Sequence, residues 1–270
     1  MRIEQIEVRH LALPLIHPFE TSFGREEVRQ TILVAVKSEG LTGWGEAATS
    51  AGPWYEYETV ETCWHVLSEF LGPQVVGQKV TAPEDVVRLM APVRGHNIAK
   101  MGLEAAVWDL VAQTQGRLVS QLLGGVRKRV PVGVSIGVQE SVAALLDRIG
   151  EFWGQGYSRV KIKIKPGWDV DLLCQVRRHF PGVPLMVDAN SAYSLADVDT
   201  LVALDQFDLT MIEQPLAHDD LVDHAELQQR LRTPICLDES VPSWAAARAA
   251  LALGSGRIIN IKPARVGGLT

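Results

Sequence analysis

Cysteine is scarce in this chain: Cys63, Cys174 and Cys236 are the whole complement in 270 residues. An odd trio with neither pairing nor ligand spacing argues against a disulfide framework and against a cysteine-built metal site. Cys236 stands inside an apolar run and reads as a small core residue. No run of 18 apolar residues exists, so no membrane-spanning helix is expected. The opening Met1-Arg-Ile-Glu-Gln-Ile carries no apolar signal-peptide core. Together with the cysteine usage, this gives the expectation of a reducing cytoplasm. Positive charge is also short. The 26 Lys and Arg against 32 Asp and Glu leave a net charge of −6, with no basic footprint for nucleic acid. What is present is apolar content, 47%, ample for a buried core, in a length that allows one large domain or two smaller ones.

The stretch Lys161-Ile-Lys-Ile-Lys-Pro-Gly167 reads as a strand with Lys161, Lys163 and Lys165 on one face and Ile162 and Ile164 on the other. Parallel strands are normally apolar throughout, so lysines there need a reason. A solvated edge strand guarded by lysines is one. The residues downstream suggest another. Three apolar runs end in a carboxylate: Leu185-Met-Val-Asp188, Leu209-Thr-Met-Ile-Glu213 and Pro234-Ile-Cys-Leu-Asp238. A fourth, Ile258-Ile-Asn-Ile-Lys262, ends in a lysine. Lys163, Asp188, Glu213 and Asp238 stand 25 residues apart, and Lys262 comes 24 after Asp238. That interval suits one strand, one helix and two short loops. Each charge then sits at the C-terminal end of a parallel strand, the end where a β/α barrel builds its active site.

Three converging carboxylates repel unless a cation neutralises them. Oxygen donors from three strands suit Mg²⁺, so Asp188, Glu213 and Asp238 are read as its ligands. Helix N-capping is the plainer reading for Asp188 and Asp238, but it explains neither Glu213 nor the interval. Lys163 and Lys262 flank the three, which suits moving protons on either face of a carbon next to a bound carboxylate. Lys163 is read as the base and Lys262 as its counterpart. Lys161 is read as a contact to the substrate carboxylate, and Lys165 as loop or surface. Glu239 either orients a lysine from behind the site or is a solvated loop carboxylate. Asn190 either reaches the substrate or orders its own loop. His218 and His224 receive no role.

Upstream, residues 2–14, 29–38 and 42–48 read as strands of an antiparallel meander, with loops at His17–Gly24 and Thr49–Tyr55. Residues 56–72, 83–92 and 97–115 carry helical periodicity. Gly124-Gly125 then breaks the chain, so residues 1–125 are expected to form an α+β capping domain and 126–270 a β/α domain. Strands are expected near 130–137, 159–165, 184–188, 209–213, 234–238 and 257–262, alternating with helices, as in a parallel sheet.

Lys-Ile-Lys163, Val-Asp-Ala-Asn190, Ile-Glu-Gln-Pro215, Leu-Asp-Glu-Ser240 and Asn260-Ile-Lys-Pro-Ala-Arg-Val-Gly-Gly268, in this order, resemble the enolase superfamily, in its muconate-lactonising subgroup. Phe19-Glu-Thr-Ser-Phe-Gly24 and Lys163-Ile-Lys-Pro-Gly-Trp-Asp169 resemble the branch of o-succinylbenzoate synthases and N-succinylamino acid racemases. The resemblance covers essentially the whole chain. It implies an α+β N-terminal capping domain and a TIM-type (β/α) barrel, here incomplete with about six strands. It implies a Mg²⁺-dependent lyase of menaquinone biosynthesis, or a racemase, acting on a small carboxylate, and a homo-oligomer when full length. It makes the two N-terminal loops a lid, with Phe19, Ser22 and Tyr55 against the substrate; read without it, they are ordinary surface turns. A barrel of this kind has two further strands, so the chain is expected to be C-terminally truncated, and a non-catalytic fragment is the second functional class.

Overall fold

Ile32, Val34 and Val36 turn to one side of a strand and are fully buried. They belong to the first of two sheets. Strands β1 (Gln5–Thr21), β2 (Gly24–Ser38) and β3 (Leu41–Ala47) lie in that order, with β2 and β3 antiparallel from Ile32 opposite Ala47 to Ser38 opposite Leu41. The coordinates are a computed structural model that describes residues 1–21 and 24–270. Where the sequence predicts a loop over 17–24, β1 runs on through Thr21 and β2 starts at Gly24. Backbone pairing overrides the Gly and Pro signals that mark a loop there.

The chain divides into two units. The first gathers Met1–Ile16, Glu27–Lys128 and Lys262–Thr270; the second gathers His17–Glu26 and Arg129–Ile261. The sequence boundary at Gly124-Gly125 falls close to the main division, but the units exchange the segments 17–26 and 262–270.

In the first unit the helix Asn97–Thr114 packs on β3. The approach is close because Gly43 and Gly45 present no side chain. A Cβ on Gly45 would stand 2.1 Å from the Gly102 carbonyl oxygen, and one on Gly43 2.1 Å from that of Ala106. Glu104 is fully buried on the same helix. Its carboxylate accepts from Trp108 Nε1 at 3.0 Å and from the backbone N–H groups of Leu269 at 2.7 Å and Thr270 at 2.8 Å.

The second unit carries six strands in sequence order: β4 (Gly133–Ile136), β5 (Arg159–Lys163), β6 (Leu185–Asp188), β7 (Ile212–Glu213), β8 (Ile235–Leu237) and β9 (Ile258–Ile259). All pairings are parallel. Ile162, Val187, Ile212 and Ile235 are buried in the core that the strands share with the helices between them; burial of each contributes about 1.5–3 kcal/mol. The alternate residues, Lys161, Met186, Met211, Glu213, Cys236 and Asn260, line a cavity of about 260 Å³ on the other face. Among the described residues no helix is long and apolar enough to cross a membrane. The three cysteines are free.

His224, on the helix Val222–Arg230, is fully buried. Its Nε2 accepts from the Leu216 N–H at 3.2 Å, and its Nδ1 lies 2.8 Å from the Asp220 carbonyl, which makes it the neutral imidazole with Nδ1 as donor. Burial lowers its pKa below the usual 6.5, against the opposing pull of Asp220 and Asp223. The unfolded chain therefore binds this proton at higher pH than the folded one. His224 contributes stability that is present above about pH 6.5 and is lost as pH falls toward its depressed folded value. We expect the denaturant midpoint of the wild-type chain to drop between pH 7.5 and 5.5, and His224→Gln to show a smaller drop. An identical pH dependence in both proteins would remove His224 from the acid response.

Candidate active site

Strand register brings the charged strand ends level. Lys163 stands opposite Asp188, and Asp188 opposite Glu213. Asp238 lies two residues beyond Cys236, the partner of Glu213, and so keeps the same face. β5 is an interior strand between β4 and β6, so its lysines do not guard an edge. Nor do the aspartates cap helices: the helical segments after them are capped by Ser194 and Ser243.

The side chains form one buried network. Lys161 Nζ donates to Asp188 Oδ2 at 2.8 Å and to Glu213 Oε1 at 3.0 Å. Lys163 Nζ donates to the same Asp188 Oδ2 at 2.7 Å and to Asn190 Oδ1. Asn260 Nδ2 donates to Glu213 Oε1 at 3.2 Å. Asn190 Nδ2 donates to Glu239 Oε1 at 2.9 Å. Asp238 is fully buried, and its N–H donates to Gln214 Oε1 at 2.9 Å. Asn190, Ser191 and Gln214, just past two of these strand ends, all have positive φ.

The electrostatics separate the two lysines. Burial opposes the charge on Lys161, but attraction to Asp188 and Glu213 outweighs it and holds its pKa above the ordinary lysine value. Lys163 is only 6% exposed. Burial, with Lys161 adding repulsion, outweighs the attraction of Asp188 and lowers its pKa. Glu213 is raised by burial and by its neighbours Asp188 and Asp238, against the pull of Lys161. Burial first, then Asp238, pushes Glu239 up to about 7.

Among the described residues no trio of His, Cys, Asp or Glu is drawn together as a metal cage. The sequence expectation places Asp188, Glu213 and Asp238 as such a trio. In the structure, two of them instead share the Lys161 ammonium, which supplies the positive charge at that point. The donor set still fits a hard cation. All three groups are carboxylates, and all three are near enough for Glu213 to feel the other two.

The remaining expected residues are divided between the two units. Phe19, in the second unit, approaches Gly137, where a Cβ would come 3.4 Å from its ring and 2.7 Å from the Glu20 carbonyl oxygen; Val138 N–H donates to that oxygen at 2.9 Å. Ser22 lies outside the described residues. Tyr55 and Lys262 belong to the first unit, where Lys262 Nζ meets the Tyr55 hydroxyl and stands 4.9 Å from the ring centroid. Sequence reasoning missed Arg265 and Glu56. Arg265 Nη2 donates to the same Tyr55 hydroxyl at 2.6 Å, and its Nε donates to Glu56 Oε1 at 2.9 Å.

Comparison with known proteins gives this geometry a family. Residues 4–124 match the mandelate racemase / muconate lactonizing enzyme N-terminal domain, and residues 144–270 the enolase C-terminal domain-like family. An o-succinylbenzoate synthase of Geobacillus stearothermophilus is 55% identical over all of this chain and 72% of its own length. An N-succinylamino acid racemase of Thermus thermophilus is 50% identical over 99% of this chain and 73% of its own. A crystal structure of an enolase superfamily member from Listeria innocua superposes with a TM-score of 0.95 at 40% identity, covering all of this chain and 73% of that one. Enzymes of this family are generally Mg²⁺-dependent and act on small carboxylates. The chain belongs to the mandelate racemase / muconate lactonizing enzyme family of the enolase superfamily.

Proposed function

We propose that the chain carries the machinery for abstracting a proton α to a carboxylate, used to dehydrate a cyclohexadiene acid to o-succinylbenzoate. The observation that carries this is the pair of buried lysines at one strand end beside the same carboxylates: Lys161 Nζ bridges Asp188 and Glu213, and Lys163 Nζ meets Asp188 while its burial works against the charge. A lysine base must shed its proton near neutral pH, and burial of Lys163 works toward that. Lys161 stays charged and helps to hold the substrate carboxylate. Asp188, Glu213 and Asp238 would hold Mg²⁺, which when bound supplies a Lewis acid for the charge developing on that carboxylate. Lys163 takes the α-proton. In dehydration it also protonates the departing hydroxyl on the same face, while the Lys262 ammonium stabilises the developing charge from the other side.

Racemisation of N-succinylamino acids is the second reading, favoured by the 50%-identical Thermus racemase. Incubation with each substrate in deuterated water decides: dehydration gives o-succinylbenzoate, and racemisation gives α-deuterium in both enantiomers. Neither product, with the metal supplied, would overturn the proposal. The metal assignment has its own test. Asp238→Asn removes one anion of three and should weaken calorimetric Mg²⁺ affinity at least about tenfold, about 1.4 kcal/mol. Unchanged affinity would remove Asp238 from the ligand set.

A further inference from the structure

Asn190 is tied to the network more tightly than a substrate contact requires. Its backbone is left-handed, with φ at 42°, a conformation that asparagine adopts more readily than most residues. Its N–H donates to Asp188 Oδ1 at 3.0 Å. Its side-chain oxygen accepts from Lys163 Nζ, and its amide group donates to Glu239 Oε1 at 2.9 Å. The two neighbours fix the amide orientation: an ammonium needs the oxygen, and a carboxylate needs the NH₂. Glu239 Oε2 is buried with no hydrogen-bond partner among the described residues. Leaving a buried oxygen unmatched is costly, and loop packing alone gives no reason for it.

We propose that Asn190 is a positioning residue that fixes the Lys163 side chain, and that Glu239 locks Asn190 in the orientation this needs. The inference rests on the reading of Lys163 as the base. Asp188 gives the Lys163 ammonium one anchor, on a flexible four-carbon stem. Asn190 gives the second, and two anchors define where the nitrogen sits. A displacement of about 1 Å costs on the order of a hundredfold in rate.

Exchanging the two functional groups tests this. Asn190→Asp takes away the NH₂ that donates to Glu239 Oε1 and sets two carboxyl groups against each other. Adding Glu239→Gln rebuilds the contact with donor and acceptor reversed: the new carboxylate accepts from both Lys163 and the glutamine amide. We expect Asn190→Asp to lower kcat about a hundredfold with KM little changed, and the double variant to recover at least about tenfold of that loss. A rise in KM with kcat kept, and no rescue by Glu239→Gln, would make Asn190 a substrate contact and overturn the proposal. A second readout needs no turnover. Competitive acetylation by acetic anhydride, read by peptide mass spectrometry, should label Lys163 several-fold faster in Asn190→Ala than in the wild-type chain, with Lys165 as internal reference. If the wild-type chain turns over neither substrate, the functional reading fails, and the labelling alone decides: faster labelling upholds the positioning role, and an unchanged rate overturns it.

Discussion

Lys163→Arg is expected to abolish both dehydration and racemisation, a loss of at least about a thousandfold in kcat, within the range that general base catalysis supplies. The guanidinium keeps the positive charge that Asp188 Oδ2 and Asn190 Oδ1 hold. It cannot shed a proton near neutral pH, so whatever burial does for the pKa of Lys163 is lost. Lys262→Arg should act differently. β5 and β9 lie on either side of the three carboxylate-bearing strands, and Lys262 comes shortly after β9 in sequence. In the proposed mechanism the two lysines serve opposite faces of one carbon. A racemase needs both; a dehydration completed on one face needs one base. Racemisation should therefore vanish in Lys262→Arg while dehydration falls less. In deuterated water that variant should still exchange the α-proton of one succinylamino acid enantiomer. Exchange of both enantiomers at the wild-type rate would remove Lys262 from the chemistry, and with it the two-base reading.

Gly45→Ala is expected to destabilise the first unit by about 3 kcal/mol, the upper part of the usual overpacking range. The added carbon would fall 2.1 Å from the Gly102 carbonyl oxygen and 2.6 Å from the Ala106 nitrogen, both of them helix backbone that no rotamer change can move. Gly154 makes the matched control. It ends the helix Val142–Gly154, and nothing lies within 4 Å of where its Cβ would be. Gly154→Ala should leave stability unchanged or raise it by up to about 1 kcal/mol. Guanidinium unfolding followed by tryptophan fluorescence compares the two, with Trp44 and Trp108 reporting on the first unit. Equal midpoints for Gly45→Ala and wild type would show that the helix can retreat from β3.

The barrel half of the chain is legible in the sequence because its signal is local and repeated. Four of its strands read as apolar runs that end in a charge, at Asp188, Glu213, Asp238 and Lys262, and one interval recurs. The alternation in 161–164 is enough to put Lys161 and Lys163 on one face and the buried isoleucines on the other. What the lysines touch is not legible. Lys161 reads as a substrate contact, yet its ammonium bridges Asp188 and Glu213, residues 27 and 52 positions away. Arg265 escapes for the same reason, since Glu56 lies 209 positions upstream. Periodicity assigns a residue to a face but does not name its partner. Glu104 does leave a trace: a carboxylate between Leu103 and Ala105-Ala-Val107 in the helical run from Ala99 to Ala112, where burial of the charge calls for distant donors. The loop expected over 17–24 fails over 17–21, with 22 and 23 outside the described residues, because proline marks a turn only when no neighbouring strand claims the backbone.

The buried Glu104 carboxylate also sets an order of events. The ribosome makes residues 1–16 and 27–128 early, and 262–270 only after the whole of 129–261 has been made. Until then Glu104 has neither the Leu269 nor the Thr270 N–H to accept from, and an under-satisfied buried carboxylate favours staying open to water. The first unit thus leaves the ribosome with Trp108 as a donor to Glu104 but without those two N–H groups, although domains usually fold N-terminal first. Its completion waits for the segment that brings Lys262, so a nascent chain arrested before residue 262 would carry an unfinished first unit.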